Sequence, residues 1–155
     1  MTDHLPISLS LQNEQGLAVD TERLRDVALR AAAGEGATGE ISITLVDAVR
    51  IAELNGQYLG VDGPTDVLSF PVDGLVTSPP GVGEPPVLIG DIVLCPEVAI
   101  AQAPAGPDGV VSELDLLITH GVLHLLGYDH DSEEAAAAMR SREEAVCGRA
   151  GARAS

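Results

Sequence analysis

Histidine is concentrated in one short segment of this chain, which reads T-H-G-V-L-H-L-L-G-Y-D-H-D from Thr119 to Asp131. His120 and His124 are four residues apart, so a helix would place both imidazoles on one face, one turn apart. Gly127 commonly ends a helix, after which the chain can turn and direct His130 back towards the pair. Three imidazoles that meet at one point are the protein ligands of a catalytic zinc ion, whose fourth position is left for water. The segment therefore predicts a zinc site formed by His120, His124 and His130.

A similar spacing of histidines occurs in the metzincin proteases, which share the pattern H-x3-H-x5-H with glycine at the eighth position. Those proteases carry a glutamate directly after the first histidine, where it acts as the general base. In this chain that position is Gly121. The sequence thus predicts the ligands for a zinc ion without the base that a peptidase needs, which argues against proteolysis.

The composition indicates one acidic globular domain. The chain has 155 residues, enough to bury a single core, and 45% of them are hydrophobic. Its 24 acidic residues outnumber 8 cations, all of them arginine, and give a formal net charge of −16. Such a charge repels polyanions at long range, so a role with nucleic acid must depend on a local patch or on the metal. We expect one zinc-binding domain over residues 1–147 and a disordered tail over residues 148–155.

Cysteine usage and the apolar stretches indicate a cytoplasmic protein. Cys95 and Cys147 are far apart in sequence and match no metal-ligand spacing, so reduced thiols are expected. The first residues lack the charged and apolar regions of a signal peptide. The longest apolar stretch is interrupted by His120 and His124, so no membrane-spanning segment is expected.

The periodicity of apolar residues predicts an α+β fold, with a small mixed sheet of about four strands flanked by about five helices. The strands are predicted around Ile7–Leu11 and Ile41–Leu45, within Pro64–Pro71 and over Val87–Leu94. The helices are predicted over Thr21–Ala33, Asp47–Leu59, Pro96–Ala103, Ser112–Gly127 and Ser132–Cys147. Ser112 followed by Asp115 resembles a capping box, which predicts that the histidine helix begins at Ser112.

Polar residues inside two apolar segments are candidates for a site. Thr65, Asp66 and Ser69 lie in P-T-D-V-L-S-F-P, where a purely structural strand would not need them. Asp91 lies in the middle of V-L-I-G-D-I-V-L, a pattern typical of a strand that is covered on both faces. Because a buried charge is costly unless it is paired, Asp91 either accepts hydrogen bonds inside the fold or belongs to a site, and we favour the structural alternative.

Three separated stretches together resemble the YbeY family of bacterial rRNA maturation factors. They are L-N-G-Q-Y leading into P-T-D-V-L-S-F-P, then I-G-D-I-V-L, and finally H-G-V-L-H-L-L-G-Y-D-H-D with Met139 and Glu143 following at helical spacing. Their order and spacing extend the resemblance from about Ile7 to Cys147.

The resemblance implies a cytoplasmic, zinc-dependent endoribonuclease that cleaves single-stranded RNA. It implies maturation of the 3′ end of small-subunit (16S) rRNA and ribosome quality control. The implied partners are rRNA, small-subunit ribosomal proteins and a ribosome-associated GTPase. It also implies one zinc ion per chain, held by His120, His124 and His130, with Thr65, Asp66 and Ser69 at the rim of the site.

The chain departs from the family at position 59. Many family members carry an arginine there, in a position thought to meet the RNA backbone, whereas this chain has Leu59. Phosphate is then bound by the zinc ion, by Arg50 or by an arginine of the first helix, or else the ribonuclease activity is weak or a partner supplies the positive charge. Arg23 and Arg30 share a face of that helix, which by default is simply solvated.

The sequence leaves the mechanism and the function partly open. Zinc held by three neutral imidazoles can lower the pKa of a water to about 7 or stabilise charge on phosphorus. No general base is identified. Asp129 is either a residue that orients His130 or an ordinary turn residue.

Among the functions that remain open, we favour the endoribonuclease. The alternatives are a ribosome-assembly factor with a structural zinc, which the missing arginine and the acidic charge favour, and a metallohydrolase with a non-RNA substrate.

Overall fold

The structure is a computed structural model that describes residues 7–78, 80–106, 108–128 and 131–147. Asp129, His130 and the predicted tail over residues 148–155 lie outside these ranges. The described elements, in chain order, are β1 (Ile7–Asn13), α1 (Thr21–Ala33), β2 (Gly39–Leu45), α2 (Ala48–Leu59), β3 (Val67–Pro71), β4 (Leu88–Leu94), α3 (Pro96–Gln102), α4 (Gly109–Leu125) and α5 (Glu133–Cys147). The predicted α+β class is confirmed. None of the helices in the described ranges combines the length and apolarity that crossing a membrane requires.

The strands form one mixed sheet in the order β1-β2-β4-β3. The strands β1, β2 and β4 are parallel, while β3 runs antiparallel to β4 at one edge. Ser69 of β3 is paired with Ile92 of β4. This register brings the polar residues of β3 next to α4, the histidine helix.

One face of the sheet carries the main core. Ile43 of β2 and Ile92 of β4 are buried there against α1 and α4, whose apolar stripes include Leu24 and Ile118. Alternate residues of a strand point to the same face, which explains why the isoleucines recur at every second position. The predicted helix over Thr21–Ala33 is confirmed, and Asp20 caps it by accepting from the backbone N–H of Arg23.

The opposite face of the sheet is covered only in part. There Ile51 of α2 packs on Leu68, Val93 and Cys95 in a smaller cluster. Asp91 points to the same face but beyond this cluster, and it is exposed. The prediction that Asp91 is held inside the fold is therefore wrong. The strand β4 is covered on both faces near Val93, where α2 packs, but not at Asp91.

The histidine helix begins at Gly109, one turn before the predicted Ser112. Asp115 does not form a capping box with Ser112. It lies within α4 and accepts hydrogen bonds from the Arg23 guanidinium at 2.7 to 3.2 Å. This carboxylate raises the pKa of Arg23. Because a buried carboxylate needs a charged partner, Arg23 ties α1 to α4 and its guanidinium is committed to Asp115.

The end of the histidine helix follows the prediction for Gly127. This glycine adopts a φ of 103°, and its N–H donates to the carbonyl of His124. The N–H of Tyr128 donates to the carbonyl of Leu123. The two bonds form a Schellman motif. The Tyr128 hydroxyl then donates to Glu35 at 3.0 Å, which anchors the chain as it leaves α4.

Gly90 allows α4 to approach the sheet closely. A Cβ atom at this position would lie 2.7 Å from Leu125 Cδ2 and 2.7 Å from the carbonyl oxygen of Phe70. We expect Gly90→Ala to lower the free energy of unfolding by about 1–3 kcal/mol, since the backbone of β3 would have to shift. Urea denaturation measures this loss. Gly16→Ala is the control, because a Cβ there meets nothing within 4 Å. Equal stability of the two variants would contradict the close packing.

Candidate active site

Two of the predicted metal ligands lie side by side on α4. The ring centroids of His120 and His124 are 4.9 Å apart, with an angle of 76° between the ring planes. Both residues are half-buried. The i, i+4 spacing therefore places the two imidazoles together at the surface of the helix, as the sequence predicted. His130, the third predicted ligand, lies outside the described residues.

A buried carboxylate from another helix holds the first of these histidines. Glu143 of α5 is 8% exposed, and its Oε2 lies 2.9 Å from Nδ1 of His120. An ionised carboxylate only accepts, so this contact places the proton of the neutral imidazole on Nδ1 and its lone pair on Nε2. This is the arrangement by which carboxylates orient metal-binding histidines. The sequence predicted no role for Glu143, since its proximity to His120 depends on how α5 packs.

The histidines face a cleft of about 500 Å³. Its walls come from β3, α4 and α5, together with Leu59 at the end of α2. Leu116, Leu117 and Met139 give the floor an apolar character, and each of them is buried. A water-poor floor beneath a few polar groups is typical of a substrate cleft.

Two of the three predicted rim residues, Asp66 and Ser69, line this cleft. The Ser69 hydroxyl donates to the carbonyl oxygen of Gly121 at 3.3 Å, which links β3 to the residue after His120. The Asp66 carboxylate accepts from the side-chain amide of Gln102. Thr65 donates to the same carboxylate at 3.4 Å and, among the described residues, supports Asp66 rather than the cleft wall.

The position directly after His120, where a metzincin protease carries its general base, is occupied by Gly121 and has little space for a side chain. A Cβ atom at this position would lie 3.3 Å from the side chain of Ile92 and 3.3 Å from Ser69 Oγ. The residue after His120 therefore faces the sheet and not the cleft. A glutamate side chain would not fit here without displacing β3 or β4, which supports the argument from sequence against proteolysis.

Among the described residues, the arginine that lines the cleft is Arg140 of α5, for which the sequence predicted no role. Arg50, one of the predicted alternatives, lies on the other face of the sheet and pairs with Glu53. Leu59 lines the same cleft as Arg140. The signal for Arg140 was its place three residues before Glu143, which puts both on one face of α5.

The donor set fits a zinc ion. The described residues contain no group of three or more His, Cys, Asp or Glu side chains that could hold a metal. Two adjacent imidazoles, one of them held by a carboxylate through Nδ1, nevertheless match the ligand chemistry and outer contacts of zinc sites. Asp129, the other predicted site residue, lies outside the described ranges together with His130, so their roles stay predictions.

Comparison with known proteins identifies the family. The family model described as "Endoribonuclease YbeY" matches residues 10–151. Curated proteins of that name are similar to this chain. One from Salinispora tropica is 49% identical and covers 83% of this chain and 86% of its own length. One from Thermobifida fusca is 44% identical and covers 80% and 81%.

A solved structure supports the same relationship. The solution structure of TM1509 from Thermotoga maritima aligns with a TM-score of 0.60 at 28% sequence identity. It covers 91% of this chain and 90% of its own. With the family model matching most of the sequence and the fold shared along the chain, the protein belongs to the endoribonuclease YbeY family.

Proposed function

We propose that this protein is a zinc-dependent endoribonuclease that cleaves single-stranded RNA in the cleft beside His120 and His124. The observation that carries the proposal is the contact between Glu143 and Nδ1 of His120 in a cleft lined by β3, α4 and α5. Family membership supports RNA as the substrate. His120, His124 and His130 would hold one zinc ion per chain.

The residues of the cleft have separate tasks in this proposal. Zinc, when bound, supplies an activated water and stabilises negative charge on phosphorus. Glu143 keeps the His120 ring in the orientation and tautomer that present Nε2 for metal binding. The buried side chains of Leu116, Leu117 and Met139 exclude water from the floor and so strengthen the electrostatic interactions above it.

The resemblance described under the sequence analysis implies a narrower task for this activity. We propose that the RNA is the precursor of 16S rRNA, cleaved during maturation of its 3′ end, and that the protein also serves ribosome quality control in the cytoplasm. Small-subunit ribosomal proteins and a ribosome-associated GTPase are the proposed partners. The net charge of −16 suits contact with basic ribosomal proteins.

Cleavage of a short single-stranded RNA with and without zinc tests the proposal. We expect the zinc-loaded protein to cut the single strand, and treatment with a chelator to abolish cutting until zinc is returned. The same strand annealed to its complement is expected to resist, because a paired backbone does not enter the cleft as an extended strand. Cleavage that persists after chelation would contradict zinc dependence, and equal cutting of the duplex would contradict the strand preference.

The competing function is a ribosome-assembly factor in which zinc is structural. The observation in its favour is the replacement of the family arginine by Leu59 in the cleft of a strongly acidic protein. Zinc that binds at one ion per chain without any RNA cleavage would favour this alternative. A metallohydrolase acting on a peptide is disfavoured, because Gly121 faces the sheet where a peptidase would carry its base.

A further inference from the structure

The arginines of this protein differ in how they are bound. Among the described residues, four pair with carboxylates, namely Arg23 with Asp115, Arg30 with Asp26, Arg50 with Glu53 and Arg142 with Glu35. Arg25 donates to the backbone carbonyl of Leu9 at 3.2 Å. Arg140 is the exception in the described part of the chain, since its guanidinium has no hydrogen bond or ion pair there. An uncommitted guanidinium is available to a ligand.

Arg140 is also the arginine placed at the cleft. It lies one turn before Glu143 on α5, on the same wall as Met139, and the cleft also contains His120 and His124. Its side chain is exposed, so it can reach a ligand without losing a partner. The acidic groups on the cleft wall are already engaged, because Asp66 accepts from Gln102 and Glu143 contacts His120.

We propose that Arg140 binds a backbone phosphate of the RNA strand, next to the phosphodiester held at the histidines. Guanidinium groups bind phosphate through parallel, charge-assisted hydrogen bonds, which a planar fork of donors favours over a single ammonium. A strand in the cleft would thus meet a positive charge on α5 as well as the histidines of α4. The inference rests on the proposed endoribonuclease function and assigns to α5 the phosphate contact that Leu59 cannot make.

The overall charge of the protein makes this contact important. With a net charge of −16, the protein repels RNA at long range, and favourable charge must come from a few local groups. One phosphate contact by an exposed arginine changes the slope of the salt dependence for single strands by about 0.7. Arg140 therefore acts as a substrate-positioning residue whose removal weakens binding of every RNA sequence to a similar extent.

Binding of a 2′-O-methyl oligouridylate to the zinc-loaded protein tests the inference without cleavage as the readout. We expect Arg140→Ala to weaken binding roughly tenfold and to reduce the salt slope by about 0.7, measured by fluorescence anisotropy. Arg30→Ala is the matched control, because it removes the same charge from an exposed helix face and leaves the cleft unchanged. Arg140→Lys should retain part of the affinity, since the charge remains without the fork.

A charge introduced at Leu59 provides a second test of the inference. Leu59 is 56% exposed and lines the same cleft, so Leu59→Arg adds a guanidinium beside the proposed strand path. Combined with Arg140→Ala, it should recover most of the lost affinity. Recovery would show that a guanidinium in this cleft binds a phosphate, and a double variant that binds RNA as weakly as Arg140→Ala alone would contradict a phosphate path through the cleft.

The outcomes separate this inference from the proposed function. Wild-type protein that binds RNA with the same affinity and salt slope as Arg140→Ala would overturn the role of Arg140 and leave the endoribonuclease proposal standing. Equal weakening by Arg30→Ala and Arg140→Ala would also overturn it, because only net charge would then matter. Wild-type protein that neither binds nor cleaves single-stranded RNA would overturn both.

Discussion

His124→Ala is expected to remove bound zinc and RNA cleavage together. The substitution takes one imidazole from the pair on α4, and an ion left with fewer protein nitrogens is held weakly. Lewis-acid stabilisation is worth several kcal/mol, and about 1.4 kcal/mol corresponds to a tenfold change in rate, so cleavage should fall roughly a thousandfold. Elemental analysis of the purified variant gives the zinc content per chain.

His4→Ala is the matched control for this variant. It removes the histidine that lies outside the segment from Thr119 to Asp131 and should keep one zinc ion per chain. A His124→Ala protein that retains stoichiometric zinc would refute the assignment of this residue as a ligand. A thermal melt of each variant separates loss of the metal from loss of the fold.

Glu143→Gln is expected to weaken zinc binding by about 10- to 100-fold, the usual cost of losing a carboxylate that orients a metal-binding histidine. Glutamine keeps the size of the side chain but removes the negative charge beside Nδ1 of His120 and no longer requires a proton on that nitrogen. Competition with a fluorescent zinc chelator measures the affinity. Cleavage at saturating zinc should recover more fully than in His124→Ala.

Glu144→Gln is the control for Glu143→Gln. Glu144 is the next residue of α5 and is exposed, so the same chemical change occurs without a contact to His120. Similar zinc affinities for the two variants would show that the contact between Glu143 and His120 does not tune the metal site.

Much of the fold was predictable because local signals agreed with the tertiary structure. Asp20 and Asp47 each accept a backbone N–H at the start of a helix, which is the role their position before an apolar pattern predicts. Gly127 ends α4 in the left-handed conformation that glycine favours. These features depend on neighbours within a few residues, and a sequence displays such neighbours directly.

The predictions that were wrong concern contacts between elements that are far apart in the sequence. Asp115 looked like part of a capping box, but its carboxylate is bound by Arg23, which lies 92 residues away in sequence. Asp91 was predicted to lie inside the fold because V-L-I-G-D-I-V-L is apolar apart from Gly90 and Asp91, yet α2 leaves that part of the sheet open. Periodicity cannot show how far a helix extends over a sheet.

The candidate site shows the same difference between local signals, which the sequence displays, and contacts between distant elements, which it does not. The pair His120 and His124 was predictable from helical spacing alone. The roles of Glu143 and Arg140 were not, because both residues lie on α5 and meet α4 only through packing. Position 59 was identified as a departure from the family, but only the structure places Leu59 and Arg140 in one cleft. Tertiary packing thus adds the residues that would orient a ligand and bind the substrate.

The most direct test of zinc-dependent RNA cleavage compares two proteins purified in the same way, the zinc-loaded wild type and His124→Ala, on a short single-stranded RNA. We expect rapid cleavage by the wild-type protein and roughly a thousandfold less by the variant, since the metal would be lost. Equal cleavage by both proteins would point to a contaminating nuclease or to another site. Absence of cleavage by either, with zinc bound to the wild type, would contradict the enzymatic role and favour a ribosome-assembly factor.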